Sequence, residues 1–309
     1  MESEKKRIPM DIILVIFFLM LISLLSLYNL QQTYPGSENF VLKQSVWFGI
    51  GILFMIGIRF LDLNQLFKLS LPAYIMGVLV LGVLLINPGG IAPEINGANS
   101  WFVFGGISMQ PAEFAKFTTI LCMSYVIVKH KNKYGTGLFK SDFILFSKLL
   151  VVTAIPVSLI MLQPDFGTSV VYLIILGVTV LLSGINWKLI LLIAASFVII
   201  IGSAFFIIIT FPEESTELLP IAPYQVDRIM TWVQESEHQN DKNFQVTKSL
   251  LAIGSGQLFG KGFNNLEVYI PEAQTDFIFA IIGESFGYVG CTIVILLYFI
   301  LIYSLIVRG

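Results

Sequence analysis

Asp276 stands in the segment Pro271-Glu272-Ala273-Gln274-Thr275-Asp276-Phe277-Ile278-Phe279, where a long polar stretch gives way to an apolar run. A carboxylate at the mouth of a membrane helix is costly to keep, so function is its first reading. Glu284 follows eight residues later, roughly 12 Å deeper along a helix and close to the same face, which predicts a polar stripe running down from Asp276. The approach to this acid, Gly254-Ser255-Gly256-Gln257 and Gly260-Lys261-Gly262, is rich in glycine and basic. Exposed backbone amides beside Lys261, with Ser255 and Gln257 in the same loop, suit a phosphate. Arg228, in Pro223-Tyr224-Gln225-Val226-Asp227-Arg228-Ile229, could grip a pyrophosphate bidentately.

Each of these residues also has a plainer role open to it. Thr275 and Asp276 could cap the helix that follows them. Arg228 could pair with Asp227 or with lipid headgroups. Glu113 and Lys116 are three residues apart, hence on one helical face within pairing distance. They read as a structural ion pair or as charges shaping a polar cavity. Asp165, in Gln163-Pro164-Asp165-Phe166-Gly167, suits a turn and a helix start as well as it suits a second acid facing that cavity.

The elements that position these side chains are membrane helices. Of 309 residues, 56% are hydrophobic and 12% charged, well under the roughly 25% charged residues of a soluble domain. Mean hydropathy is +0.84. An apolar stretch from Met10 to Leu30 has the length of a bilayer span, exceeds a signal-peptide core and is not followed by a cleavage site. Further apolar runs at 42–60, 70–87, 112–128, 143–162, 168–184, 188–211 and 277–307 bring the expected total to eight spans. Lys148, near one end of 143–162, could snorkel to the interface.

Positive charge sets the orientation. Lys5, Lys6, Arg7, Arg59, Lys68, Lys129, His130, Lys131, Lys133, Lys140, Lys188 and Arg308 all fall on one side if the N-terminus is cytoplasmic. The other side then carries loop 88–111, the turn at 163–167 and a large loop over 212–275, too long to be a simple connection. Within it Val246, Leu250, Leu251 and Ile253 are spaced for a helix lying along the interface. Cys122 and Cys291 sit in apolar runs, and His130 and His238 are far apart. A disulfide framework, a histidine zinc site and a Ser-His-Asp triad are therefore not expected. The net charge of −2 says little about partners, and no nucleic acid is expected among them. No internal repeat supports an inverted-repeat transporter. These features describe a membrane enzyme or transporter with an outward polar cavity, and they do not name a substrate.

Five motifs in order go further. Asn96-Gly97-Ala98-Asn99-Ser100-Trp101 with Gln110-Pro111-Ala112-Glu113-Phe114-Ala115-Lys116 resembles the second outer loop of the SEDS family (shape, elongation, division and sporulation proteins). Gln163 to Thr168, Gln245 to Gly262 and Pro271 to Phe279 resemble further segments of that family. Tyr224-Gln225, Asp227-Arg228-Ile229 and Pro-Glu-Ala-Gln-Thr-Asp are more similar to its RodA branch than to FtsW.

The resemblance implies an all-α polytopic fold forming a single domain over 1–309. The family pattern has ten spans, so the resemblance also implies a chain cut short at its C-terminus. The implied activity is an inverting glycosyltransferase that polymerises lipid II on the outer face of the cytoplasmic membrane, for elongation and rod shape. A lipid II flippase, a division-type polymerase and a non-catalytic scaffold are the alternatives. Asp276 maps onto the family's essential acid and would act as general base. Lys116, Arg228 and Lys261 would face the pyrophosphate, a divalent cation (Mg or Mn) could assist, and no organic cofactor is expected. Asp165, Glu113, Ser255 and Gln257 complete the expected substrate contacts. The implied partners are membrane lipids and a class B penicillin-binding protein, a transpeptidase.

Overall fold

Apolar runs of bilayer length can satisfy their backbone only as helices, and helices are what the chain forms. The computed structural model describes residues 10–34, 39–87, 90, 92–93, 99–104, 107–135, 137–211 and 244–308. Seven helices run the length of a span: α1 (Met10–Thr33), α2 (Phe40–Arg59), α3 (Leu63–Ile86), α4 (Pro111–Tyr134), α5 (Phe139–Met161), α7 (Trp187–Thr210) and α9 (Ile278–Arg308). Between α5 and α7 lies α6 (Phe166–Leu182), apolar but only 17 residues long. Among the described residues, seven helices are thus long and apolar enough to cross a membrane, against eight expected, and α6 is a shorter apolar helix. Within the expected large loop, α8 (Phe244–Ser255) is the amphipathic helix read from the spacing of Val246, Leu250 and Leu251, all of which stay exposed.

The chain divides into two compact units. One comprises Met1–Gly57 with Gln234–Gly309, the other Ile58–Val233. In the first, α9 packs against α1 and α8 over a core of Leu30, Ala252, Leu266, Ile270, Ala280 and Ile281. Most of α2 belongs to this unit and buries none of its side chains, as expected of a helix apolar all round and facing lipid.

In the second unit, α3 packs on α4, and α5 packs on α3, α4 and α6. Met123, Leu145, Leu149, Leu176 and Val180 interlock at its centre. Tyr74 in α3 donates its hydroxyl to the Val152 carbonyl at 2.9 Å, and Tyr172 in α6 donates to Ala112 at 3.0 Å. The loop before α4 holds a short hairpin, β1 (Phe102–Phe104) and β2 (Ile107–Met109), antiparallel with Phe102 opposite Met109. Its Phe102 packs with Leu84 and Ala92. The hairpin lies within the segment 88–111 expected as a loop.

Candidate active site

Thirty-one residues make α9 far longer than a bilayer needs, and the excess resolves into a break. Gly287 adopts φ 65° and ψ −160°, so the helix is interrupted there. An interrupted span frees backbone groups that must find partners away from water. The loop after α8 supplies them. Lys261 N donates to Glu284 O at 2.8 Å and Gly262 N to Ser285 O at 3.0 Å. Across the break, Tyr288 N and Val289 N donate to Gln257 O and Leu258 O at 2.8 and 3.1 Å.

The glycines make this approach possible. A Cβ on Gly256 would collide with the Gly283 carbonyl, one on Gly260 with Ser285, and one on Gly287 with Gly260 and Leu258. This corrects the expected phosphate cradle, because the amides of Lys261 and Gly262 close the break in α9 instead of pointing at an anion.

One buried ion pair anchors the seal. Glu284 is fully buried, and its Oε1 accepts from Lys261 Nζ at 3.0 Å and from Glu267 N at 2.9 Å. Ser255 Oγ lies 3.4 Å from the same oxygen and donates to Ala252 O at 2.8 Å. Lys261 Nζ also meets Glu267 Oε2 at 2.8 Å, so one ammonium serves two carboxylates. The side chain of Lys261 is 19% exposed and that of Glu267 75%, so the second pair is screened by water. A cation so engaged is poorly placed to hold a diphosphate. Its ammonium titrates above the ordinary value: burial, the largest influence, opposes this, but Glu267 and Glu284 outweigh it.

From α1, buried Asn29 donates to Ser285 Oγ at 2.7 Å and accepts from Asn264 N at 2.7 Å. Sequence reasoning passed over Asn29. Its only signal was an amide near the end of an apolar run.

Asp276 sits in a different setting. Residues 271–277 are a series of turns, so α9 begins after it, and the helical spacing that predicted a stripe to Glu284 does not apply. Asp276 N donates to Glu272 O at 3.1 Å, and Thr275 Oγ1 donates to the same carbonyl at 3.2 Å. Asp276 itself is exposed, and its carboxylate accepts no hydrogen bond among the described residues. The capping role is not taken up by either side chain. Gln257 is exposed as well, and it is its carbonyl that is engaged.

In the second unit, Asp165 caps α6. Its Oδ1 accepts from Thr168 N at 3.0 Å, and its Oδ2 from Thr168 Oγ1 at 2.8 Å and Gln110 Nε2 at 2.7 Å. Gln110 thereby ties the start of α4 to the start of α6, a link the sequence did not reveal. Glu113 and Lys116 form the expected pair at 2.7 Å on the first turns of α4. Arg228, with the rest of 212–243, lies outside the described residues. Among the described residues no three of His, Cys, Asp and Glu gather to hold a metal ion.

Apolar helices, a glycine-sealed break and an unengaged acid at the mouth of the broken span define a polytopic membrane protein with a polar site at one helix end. The model of the FtsW, RodA and SpoVE cell cycle proteins matches residues 6–308, and the chain belongs to that family. It is a multi-pass protein of the cytoplasmic membrane.

Among its relatives is the probable peptidoglycan glycosyltransferase FtsW of Methylomonas methanica, 31% identical over 86% of this chain and 63% of that protein. Stage V sporulation protein E of Bacillus subtilis is 31% identical over 97% of this chain and 79% of its own. Among solved structures, a chain of a peptidoglycan synthase complex superposes with a TM-score of 0.67 at 26% identity, covering 94% of this chain and 76% of that one. Thermus thermophilus RodA superposes with a TM-score of 0.57 at 26% identity, covering 94% and 72%. The chain spans about two thirds of the length of the FtsW relatives it matches, 63% and 66% for two of them.

Proposed function

We propose that this protein is a peptidoglycan glycosyltransferase that polymerises lipid II at the outer face of the cytoplasmic membrane, with Asp276 as general base. The observation that carries the reading is the state of Asp276. Of the candidate acids, Asp165 is held by three donors, Glu113 and Glu267 pair with lysines, and Glu284 is buried in an ion pair. Asp276 is exposed, and among the described residues both its oxygens are uncommitted, which leaves them open to accept a proton. The names of the FtsW relatives, which are glycosyltransferases, point the same way.

In the proposed step, Asp276 takes the proton from the GlcNAc 4-hydroxyl of the acceptor lipid II. The freed oxygen bonds to MurNAc C1 of the growing strand on the opposite face from the departing bond. The C1–O bond to undecaprenyl pyrophosphate breaks, and the electron pair leaves with the diphosphate. Lys116, paired with Glu113, and Arg228 are proposed as binding residues for the anionic substrate. Lys261 and Ser255 then contribute through the seal of α9, and Asp165 through the start of α6. A class B penicillin-binding protein is the proposed partner, and a structural relative from a peptidoglycan synthase complex supports that choice.

An elongation role is favoured by the RodA-like form of Tyr224-Gln225 and Asp227-Arg228-Ile229. A division role is favoured by the FtsW names of several relatives, and complementation of strains lacking one or the other activity separates the two. The chemistry is tested with Asp276→Asn protein and fluorescent lipid II. Polymer formation should fall by about 10²–10⁴-fold. Polymerisation near the wild-type rate sinks the general-base assignment, and a flippase or scaffold would tolerate the substitution.

A further inference from the structure

Two of the lysines that set the orientation, Lys129 and Lys133, also build a recess with Lys148. Lys129, Lys133 and Lys148 surround a cavity of about 310 Å³ with Tyr125, His130 and Tyr134, where the end of α4 meets the start of α5. None of the three is paired with a carboxylate among the described residues. Their ammonium groups lie over rings instead, Lys129 at 5.3 Å from the Tyr125 centroid, and Lys133 and Lys148 at 5.1 and 5.4 Å from that of Tyr134. Lys129 also donates to Tyr125 Oη at 3.1 Å.

His130 cannot balance these charges. The Lys148 ammonium, a donor only, lies 3.2 Å from His130 Nδ1, so Nδ1 must be the bare nitrogen. Nε2 then carries the proton and donates to Ser141 Oγ at 3.1 Å, which in turn donates to Gly135 O at 3.3 Å. The nearby acid, Asp142, is turned away, accepting from Gly137 N at 3.3 Å and Asn186 N at 3.0 Å.

Lys148 lies about 14 Å along α5, within its apolar run, where an unbalanced cation is costly. It also belongs to a second cavity. An apolar groove of about 480 Å³, lined by Phe143, Ile144 and Val151, shares Lys148 and Val126 with the basic recess. A basic head site that opens into an apolar groove matches one kind of ligand.

We propose that the two cavities together bind an anionic phospholipid, its phosphate among Lys129, Lys133 and Lys148 and an acyl chain along the groove. Basic pockets between membrane helices are suited to such heads, and the positive-inside reading assigns this end to the cytoplasmic leaflet. The bound lipid supplies the missing counter-charge and ties α4 to α5.

The test measures lipid association with the full chain in phosphatidylcholine bilayers containing spin-labelled phosphatidylglycerol or phosphatidylcholine. Phosphatidylglycerol should bind on the order of a hundredfold more tightly than phosphatidylcholine. A triple variant, Lys129→Gln, Lys133→Gln and Lys148→Gln, should lose that preference, whereas the triple Lys→Arg variant should keep it. Ser147→Trp, which fills the groove without touching charge, should weaken phosphatidylglycerol binding on its own. Inorganic phosphate should not displace the lipid. Equal binding of the two lipids to wild type, an undiminished preference in the glutamine variant, unchanged binding in Ser147→Trp, or displacement by free phosphate each overturns the proposal.

Discussion

Lys261 and Glu284 meet at 3.0 Å inside the first unit, the lysine from the loop after α8 and the glutamate fully buried in α9 just before its break. The loop that carries Lys261 also satisfies the backbone on both sides of Gly287. Charge and main chain are thus two parts of one device that lets a membrane helix be interrupted.

Removing the cation should therefore cost more than removing its exposed partner. Lys261→Met leaves a buried carboxylate uncompensated and should destabilise by about 3–5 kcal/mol. Glu267→Gln breaks only a water-exposed pair and should cost about 1 kcal/mol or less. Pairing Lys261→Met with Glu284→Gln should recover much of the loss. Thermal unfolding in detergent ranks the three.

The same pair predicts a limit at high pH. Lys261 titrates above its ordinary value of 10.5 in the folded protein, because its two carboxylates outweigh the effect of burial. With the folded value above the unfolded one, the stabilisation is complete below pH 10.5 and is lost as pH rises through the raised folded value. Stability should fall more steeply in that range for wild type than for the paired Met and Gln variant.

Three glycines, one at the end of α8 and two in the loop after it, should respond differently to alanine. Gly260→Ala meets the Ser285 backbone at a positive φ, and should cost roughly 2–4 kcal/mol. Gly262→Ala has open space but the same unfavourable φ of +80°, and should cost about 1 kcal/mol. Gly254→Ala, in α8 with open space around it, should be neutral or stabilising by up to about 1 kcal/mol. Equal melting temperatures for all three would contradict the seal.

Asp276 and Asp165 should separate activity from stability. Asp276→Asn disturbs no side-chain hydrogen bond among the described residues and should shift stability by no more than about 0.5 kcal/mol while activity collapses. Asp165→Ala removes a helix cap and the shorter of the two hydrogen bonds of the Gln110 amide, at a cost of about 1–3 kcal/mol. Asp165→Asn, an equally good cap, should keep most of the stability. If it also keeps lipid II polymerisation, the cap is the whole of that residue's contribution.

Much of this protein was legible before any fold was drawn. Runs of apolar residues must become helices in a bilayer, and five ordered motifs marked the family. Asp276 stood out because a polar segment meets an apolar one there. The i,i+3 pair of Glu113 with Lys116 followed from helix geometry alone. What linear reading could not supply was the partner of each polar group. Asn29 and Ser285 are 256 positions apart, and no local pattern announces their bond.

The run from 277 to 307 looked like one continuous helix because glycine within an apolar stretch breaks a helix only when something else accepts the freed backbone. That condition is tertiary: it required Gly256, Gly260 and Gly287 to bring two main chains together. For the same reason Lys261, read locally as a cation beside exposed amides, took its role from a carboxylate 23 residues away. Sequence determined which segments enter the membrane and where an acid waits at its edge. Only the packed chain decided which charges are spent on holding that edge in place, because hydrogen bonds and ion pairs depend on distance in space and not on order along the chain.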